Sequence, residues 1–120
     1  MSHYVDGFVL PIARKKLAAY RRLARRAGKI WREHGALAYV ECVGDDMKTA
    51  PMIPFPKLVQ AKKSEVVIFA WAVFQSRRRR DKANAAIMSD PRLTGLCEAD
   101  KSLVDCRRMG YGGFKVIVEL

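Results

Sequence analysis

Long apolar runs are missing from this chain. No stretch reaches the ~18–20 residues of a membrane-spanning helix, so no such helix is expected. The opening segment, Met1-Ser2-His3-Tyr4-Val5-Asp6, has neither a basic n-region nor an apolar h-region, and no signal peptide is expected. Cys42, Cys97 and Cys106 are odd in number and lack metal-ligand spacing, which points to reduced cytoplasmic thiols rather than a metal or redox site. Histidine is confined to His3 and His34, too few for a His-rich metal centre. There is no internal repeat and no low-complexity segment beyond Arg77 to Arg80.

What is present suits one soluble domain spanning residues 1–120. A chain of this length buries roughly two-thirds of its unfolded surface, enough for a single core. The net charge of +11 can steer anionic ligands, membranes or nucleic acid toward the surface, and it serves solubility equally well.

His3 to Leu10 reads as a strand closed by Pro11. Residues 14 to 34 read as an amphipathic helix, with Leu17, Tyr20, Ala24, Ala27 and Trp31 at steps of three and four. Leu23, Gly28 and Ile30 widen that face, and the opposite face is almost wholly Arg and Lys, with Glu33 as its one acid. Gly35 stops the helix. A strand follows over Leu37 to Val43, carrying Glu41 among apolar neighbours. Pro51, Pro54 and Pro56 make 44–56 a loop, and 57–61 are ambiguous between loop and helical turn. Glu65 to Phe74 reads as a third strand, and Ser76 caps a second helix over 77–89 that Asp90-Pro91 ends. Residues 92–106 read as irregular, with a short helical turn near Leu93 to Leu96. Arg108 to Val118 reads as the last strand, with a bulge at Gly112-Gly113.

The order β-α-β, β-α-β is the split βαβ pattern, an α+β ferredoxin-like antiparallel sheet with two helices on one face. Helices usually lie over small residues, so Val5, Gly7, Val9, Ala38, Val40, Cys42, Ala70 and Ala72 are expected beneath them. The open face would then show Tyr4, Asp6, Phe8, Tyr39, Glu41, Phe69, Trp71, Met109 and Tyr111. That face is too apolar for water, and a second copy of the chain, sheet against sheet, is the economical cover: a homodimer is expected.

Several segments carry a family resemblance: Tyr4 through Pro11, Glu33 through Asp46, Phe55-Pro56 with Val59-Gln60-Ala61, Ser76-Arg77 with Arg80-Asp81, Asn84 with Met88, Asp90-Pro91-Arg92, and Arg108-Met109 with Tyr111 through Phe114. Together they resemble the YbaA-like family of small bacterial proteins, a domain of unknown function. That resemblance implies a dimeric α+β barrel, in which two ferredoxin-like subunits press their sheets around a central cavity. Relatives in that superfamily include haem-degrading and quinol monooxygenases, isomerases and ligand-sensing domains. The haem-degrading branch uses an Asn, a Trp and a His in the cavity. Here Trp71 sits on a comparable strand, but Asp6 stands where the Asn is wanted and the second helix has no His, so no haem or other cofactor is expected.

The candidate site is therefore an intersubunit cavity for a small aromatic or anionic ligand. One of Asp6 and Glu41 is the candidate general base, or else both are interface ion-pair partners of Arg108 or of an Arg or Lys from the partner subunit. Tyr4, Phe8, Tyr39, Trp71, Tyr111 and Arg108 are the candidate ligand contacts. Ser76, Arg77 and Arg80 form a candidate anion site at a helix start. No metal site is expected. Specific nucleic-acid binding is argued against, because the sheet aromatics come with acids that repel phosphate. A cofactor-independent monooxygenase or isomerase and a non-catalytic ligand-binding or structural dimer are the two leading functions, with a weak, basic-surface nucleic-acid binder behind them.

Overall fold

The computed structural model describes residues 2–120, so Met1 of the N-terminal segment lies outside it. Its elements are β1 (Tyr4–Ala13), a 3-10 turn (Arg14–Lys16), α1 (Leu17–Glu33), β2 (Ala38–Val43), α2 (Phe55–Leu58), β3 (Glu65–Phe74), α3 (Arg77–Met88), α4 (Pro91–Ala99), a 3-10 turn (Cys106–Arg108) and β4 (Gly110–Lys115). The sheet order is β2-β3-β1-β4, antiparallel throughout. Each long helix crosses over one strand to reach its partner, which is the ferredoxin-like fold read from the element order.

Local chemistry sets the joints. Gly35 adopts φ +121°, the left-handed region that glycine enters without a side-chain clash. It lets the Ala36 amide reach back to the Trp31 carbonyl at 3.0 Å and its own amide reach Arg32 at 3.2 Å, a Schellman end to α1. Ala36 then buries beside Trp31, tying the helix end to the core. The Ser76 hydroxyl accepts from the Arg79 amide at 3.2 Å and opens α3. Asp90 stops α3 and also caps α4, with Pro91 at the first helical position. Residues 91–99 are thus a helix where an irregular stretch was expected.

Pro11 does not close β1, which runs on to Ala13. Pairing with β4 ends at Val9, so beyond that point β1 has a free edge on which a missing amide proton costs little. β4 is shorter than expected and its register with β1 is unbroken through Gly112 and Gly113, so no bulge occurs there.

The largest correction is to the faces of the sheet. The helices cover Tyr4, Phe8, Leu10 and Ile12 of β1, not its small set, and Leu10 and Ile12 are each only 1% exposed. Register then carries Tyr39 and Glu41 of β2 and Tyr111 of β4 to the same side, while Met109 packs against the α1 core. Only on β3 do small residues lie under the helices as expected, with Ala70 and Ala72 buried there. The cross-strand row Glu41–Ala70–Phe8–Tyr111 shows why: one small residue on the central strand makes room for the helices, and larger ones flank it. The open face carries Val9, Val40, Phe69, Trp71 and Phe114, an apolar surface with Glu65 at its margin.

Candidate functional site

Between α1 and β2 lies a cleft of about 880 Å³. Its walls are apolar, from Leu17, Ala24, Val43 and Ile68. Tyr20, Ala24 and Gly28 form one i,i+4 row on α1 that faces the sheet. Across from them β2 presents Tyr39 and Glu41 two residues apart, on one face of the strand.

Glu41 lies at the floor of this cleft. Tyr20 donates its hydroxyl to Oε1, and Tyr39 donates to Oε2 at 2.5 Å. Burial, then the Glu41 charge, pushes both phenols well above their ordinary range, so they stay protonated donors at neutral pH. No Lys, Arg or His lies within ion-pair distance of Glu41 among the described residues. A carboxylate has about four acceptor positions and the tyrosines use two, leaving capacity for a ligand. Gly28 makes the arrangement possible, since a Cβ there would stand 2.6 Å from the Tyr39 ring.

Asp6 lies elsewhere, under α3. It is 1% exposed and faces Arg80, whose Nε is 3.6 Å from Oδ1, while Asn84 donates to Oδ2 at 3.4 Å. Arg80 also donates to Tyr4 at 3.1 Å and to Tyr111 at 3.3 Å. Burial raises the Asp6 carboxyl, and Arg80 with Asn84 and Tyr111 pulls it part of the way back. Glycine in β4 admits this cluster, because a Cβ at Gly113 would stand 2.6 Å from the Tyr4 hydroxyl oxygen. The cluster ties α3 to the β1–β4 side of the sheet.

The expected site residues are therefore dispersed. Asp6 and Glu41 do not share a cavity on the open face; they occupy two separate clusters beneath the helices. Of the expected ligand contacts, Trp71 alone lies on the open face. Arg108 pairs with neither carboxylate: it grips Glu65 through two bonds of 2.6 and 2.8 Å and holds that carboxyl down to about 2. Ser76, Arg77 and Arg80 do not converge on an anion site, since Ser76 caps α3, Arg80 turns inward to Asp6 and Arg77 stays exposed near Asp81. His34 ends α1 with Nε2 2.9 Å from Asp90. Tyr20 and Gly28 read only as core positions in the sequence, and Asn84 as one of the residues that carry the family resemblance. Their roles follow from the parity of β1 and β2, the one signal that could have revealed them.

Among the described residues no three His, Cys, Asp or Glu side chains are grouped to hold a metal ion. No helix there is long and apolar enough to cross a membrane.

Comparison with known proteins supports the resemblance read from the sequence. The model of a family of proteins of unknown function, DUF1428, matches residues 3–103. The uncharacterized protein YbaA of Escherichia coli K12 is 40% identical over 116 residues, covering 97% of both chains. A dimeric ferredoxin-like protein from an uncultured marine organism superposes with a TM-score of 0.61 over 100% of both chains at 8% identity. A Bacteroides thetaiotaomicron protein of unknown function, described as a possible oxidoreductase, gives 0.55 at 11% identity, covering 96% of this chain and 97% of its own. At such identities these two structures establish the fold alone.

Proposed function

The chain belongs to the DUF1428, YbaA-like family, and on that footing we propose that it binds a small molecule in the cleft between α1 and β2, with Glu41 as the group that meets the ligand. One observation carries this: a carboxylate held by two tyrosine hydroxyls, with no cation paired to it among the described residues, at the floor of an apolar-walled cleft of about 880 Å³. Clefts of roughly 300–1,000 Å³ suit drug-sized ligands. On this proposal the ligand sits within one subunit, where the sequence reading expected a cavity between two.

The catalytic form of this proposal gives Glu41 a proton from an acidic C–H or O–H of the ligand. Returned to another carbon, that proton completes an isomerisation with no co-reactant. With dioxygen as co-reactant, a ligand carbon bearing two hydrogens would become a carbonyl, gaining one oxygen atom while its two hydrogens and four electrons reduce dioxygen and the other atom leaves as water. The fold neighbour described as a possible oxidoreductase gives modest support to that second course. The non-catalytic form needs only binding. In both forms Asp6 holds α3 in place, and two copies of the chain pair through the open sheet face, an arrangement supported by its exposed Phe69 and by the dimeric fold neighbour.

A thermal-shift screen of small acids and phenols tests the site. Compounds that raise the melting temperature of the unmodified protein should lose that effect with Glu41→Gln. Undiminished shifts with the variant would remove Glu41 from the site.

A further inference from the structure

A second row of α1 borders the same cleft. Arg21, Arg25 and Lys29 follow Tyr20, Ala24 and Gly28 by one residue each, so they turn about 100° away to the mouth. At ~1.5 Å per residue the row spans about 12 Å. All three are exposed, and none is in an ion pair among the described residues. Their neighbours at this end of the helix are engaged: Arg32 donates to the Leu37 carbonyl, and Glu33 accepts from Arg92 at 2.7 Å. The cleft is therefore polarised, with unneutralised cations at the mouth, apolar walls, and an acceptor carboxylate at the floor.

From this arrangement we infer that the ligand is an amphipathic acid, its carboxylate or phosphate on the Arg21–Arg25–Lys29 row, its apolar body in the cleft, and a hydroxyl or other donor at its far end on Glu41. The inference rests on the cleft being the ligand site and deepens that proposal by naming the ligand's chemistry. Cations at the mouth attract an anion before contact and hold its charge in partial contact with water, where it keeps much of its hydration. A carboxylate driven to the floor would instead meet Glu41 and be repelled. Polarity at the two ends thus sets the ligand's direction, and a neutral molecule of equal shape gains only the apolar contact.

Three probes separate the contributions: para-hydroxyphenylacetate, its neutral amide, and phenylacetate, followed by two-dimensional amide NMR of the whole protein. The hydroxy acid should shift Ala24, Gly28 and Glu41 saturably. The amide should bind at least about tenfold more weakly, the size expected for one charge-assisted contact. Phenylacetate should also be weaker than the hydroxy acid, because it offers Glu41 no donor. The triple variant Arg21→Gln, Arg25→Gln, Lys29→Gln changes exposed positions, and its spectrum should stay dispersed while acid and amide become equal. Equal binding of acid and amide by the unmodified protein would overturn the inference and leave the cleft as the ligand site. Cleft shifts from none of the three probes would remove the cleft itself, and the inference with it.

Discussion

Gly28 on α1 lies against the ring of Tyr39 on β2, so closely that a Cβ at position 28 would stand 2.6 Å from Cδ1 and 2.8 Å from Cε1. Helix chemistry alone favours alanine over glycine in a helix interior by about 1 kcal/mol. Overpacking a filled site costs ~1–3 kcal/mol, and an aromatic ring wedged between helix and sheet has little room to yield. Gly28→Ala should therefore lower stability and displace the Tyr39 hydroxyl from Glu41. Trp31, whose ring centroid is 5.7 Å from that of Tyr39, reports the displacement through its fluorescence once Trp71 is replaced by Phe. An unchanged Trp31 signal with higher stability would contradict the contact.

Arg80→Met should destabilise the protein at neutral pH by about 3 kcal/mol, since it leaves Asp6 buried without its counter-charge. The sign of the pH dependence follows from Asp6, whose folded carboxyl is raised by burial. Stability linked to it is full below the unfolded value of about 3.9 and is lost as pH rises through the folded value. Removing Arg80 raises the folded value further. The variant's deficit should shrink toward pH ~3, about one unit below the unfolded value, where Asp6 is largely protonated in both states. Urea denaturation at both pH values measures this, and a deficit independent of pH would contradict it.

Glu65 behaves with the opposite sign. Arg108 holds its carboxyl at about 2 in the folded protein, below the usual value. Its contribution is full above the unfolded value of about 4.3 and disappears as pH falls through about 2. Glu65→Gln should flatten the acid side of the stability curve across that window and lower stability at neutral pH. An unchanged acid limb would show that the ion pair contributes nothing.

The open sheet face makes its own prediction. Phe69 is 44% exposed and stands between Phe55 and Trp71, with ring centroids 5.7 and 5.6 Å away. A charge there is tolerated by one chain but must be desolvated in a sheet-to-sheet pair, at a cost of several kcal/mol. Light scattering at micromolar concentration should find the unmodified protein dimeric and Phe69→Lys monomeric. A monomeric unmodified protein would end the pairing proposal.

The fold was legible in the sequence because its strongest signals are local. The apolar stripe of α1, the glycine stop at 35, the long apolar run of β3 and the Ser76 cap each act within a few residues. The cleft was not, because it depends on which side of each strand faces the helices. Alternation in β1 divides the residues into two sets without saying which set is inward. Small residues mark the inward side of β3, where Ala70 and Ala72 lie, but not that of β1, where Leu10 and, beyond Pro11, Ile12 complete the core. Reading β1 as ending at Pro11 hid Ile12, the residue that extends its inward set. Asp90-Pro91 was equally two-sided, a stop for one helix and a cap for the next.

The ligand site can be located directly by mapping amide NMR shifts over a fragment library rich in acids and phenols. With a ligand in the α1–β2 cleft, the shifts gather on Ala24, Gly28, Tyr39 and Glu41, and Glu41→Gln erases them for fragments that carry a hydroxyl. Shifts gathered around Asp6 and Tyr111, or on Phe69 and Trp71 of the open face, would contradict the assignment of the cleft as the place where this protein meets its ligand.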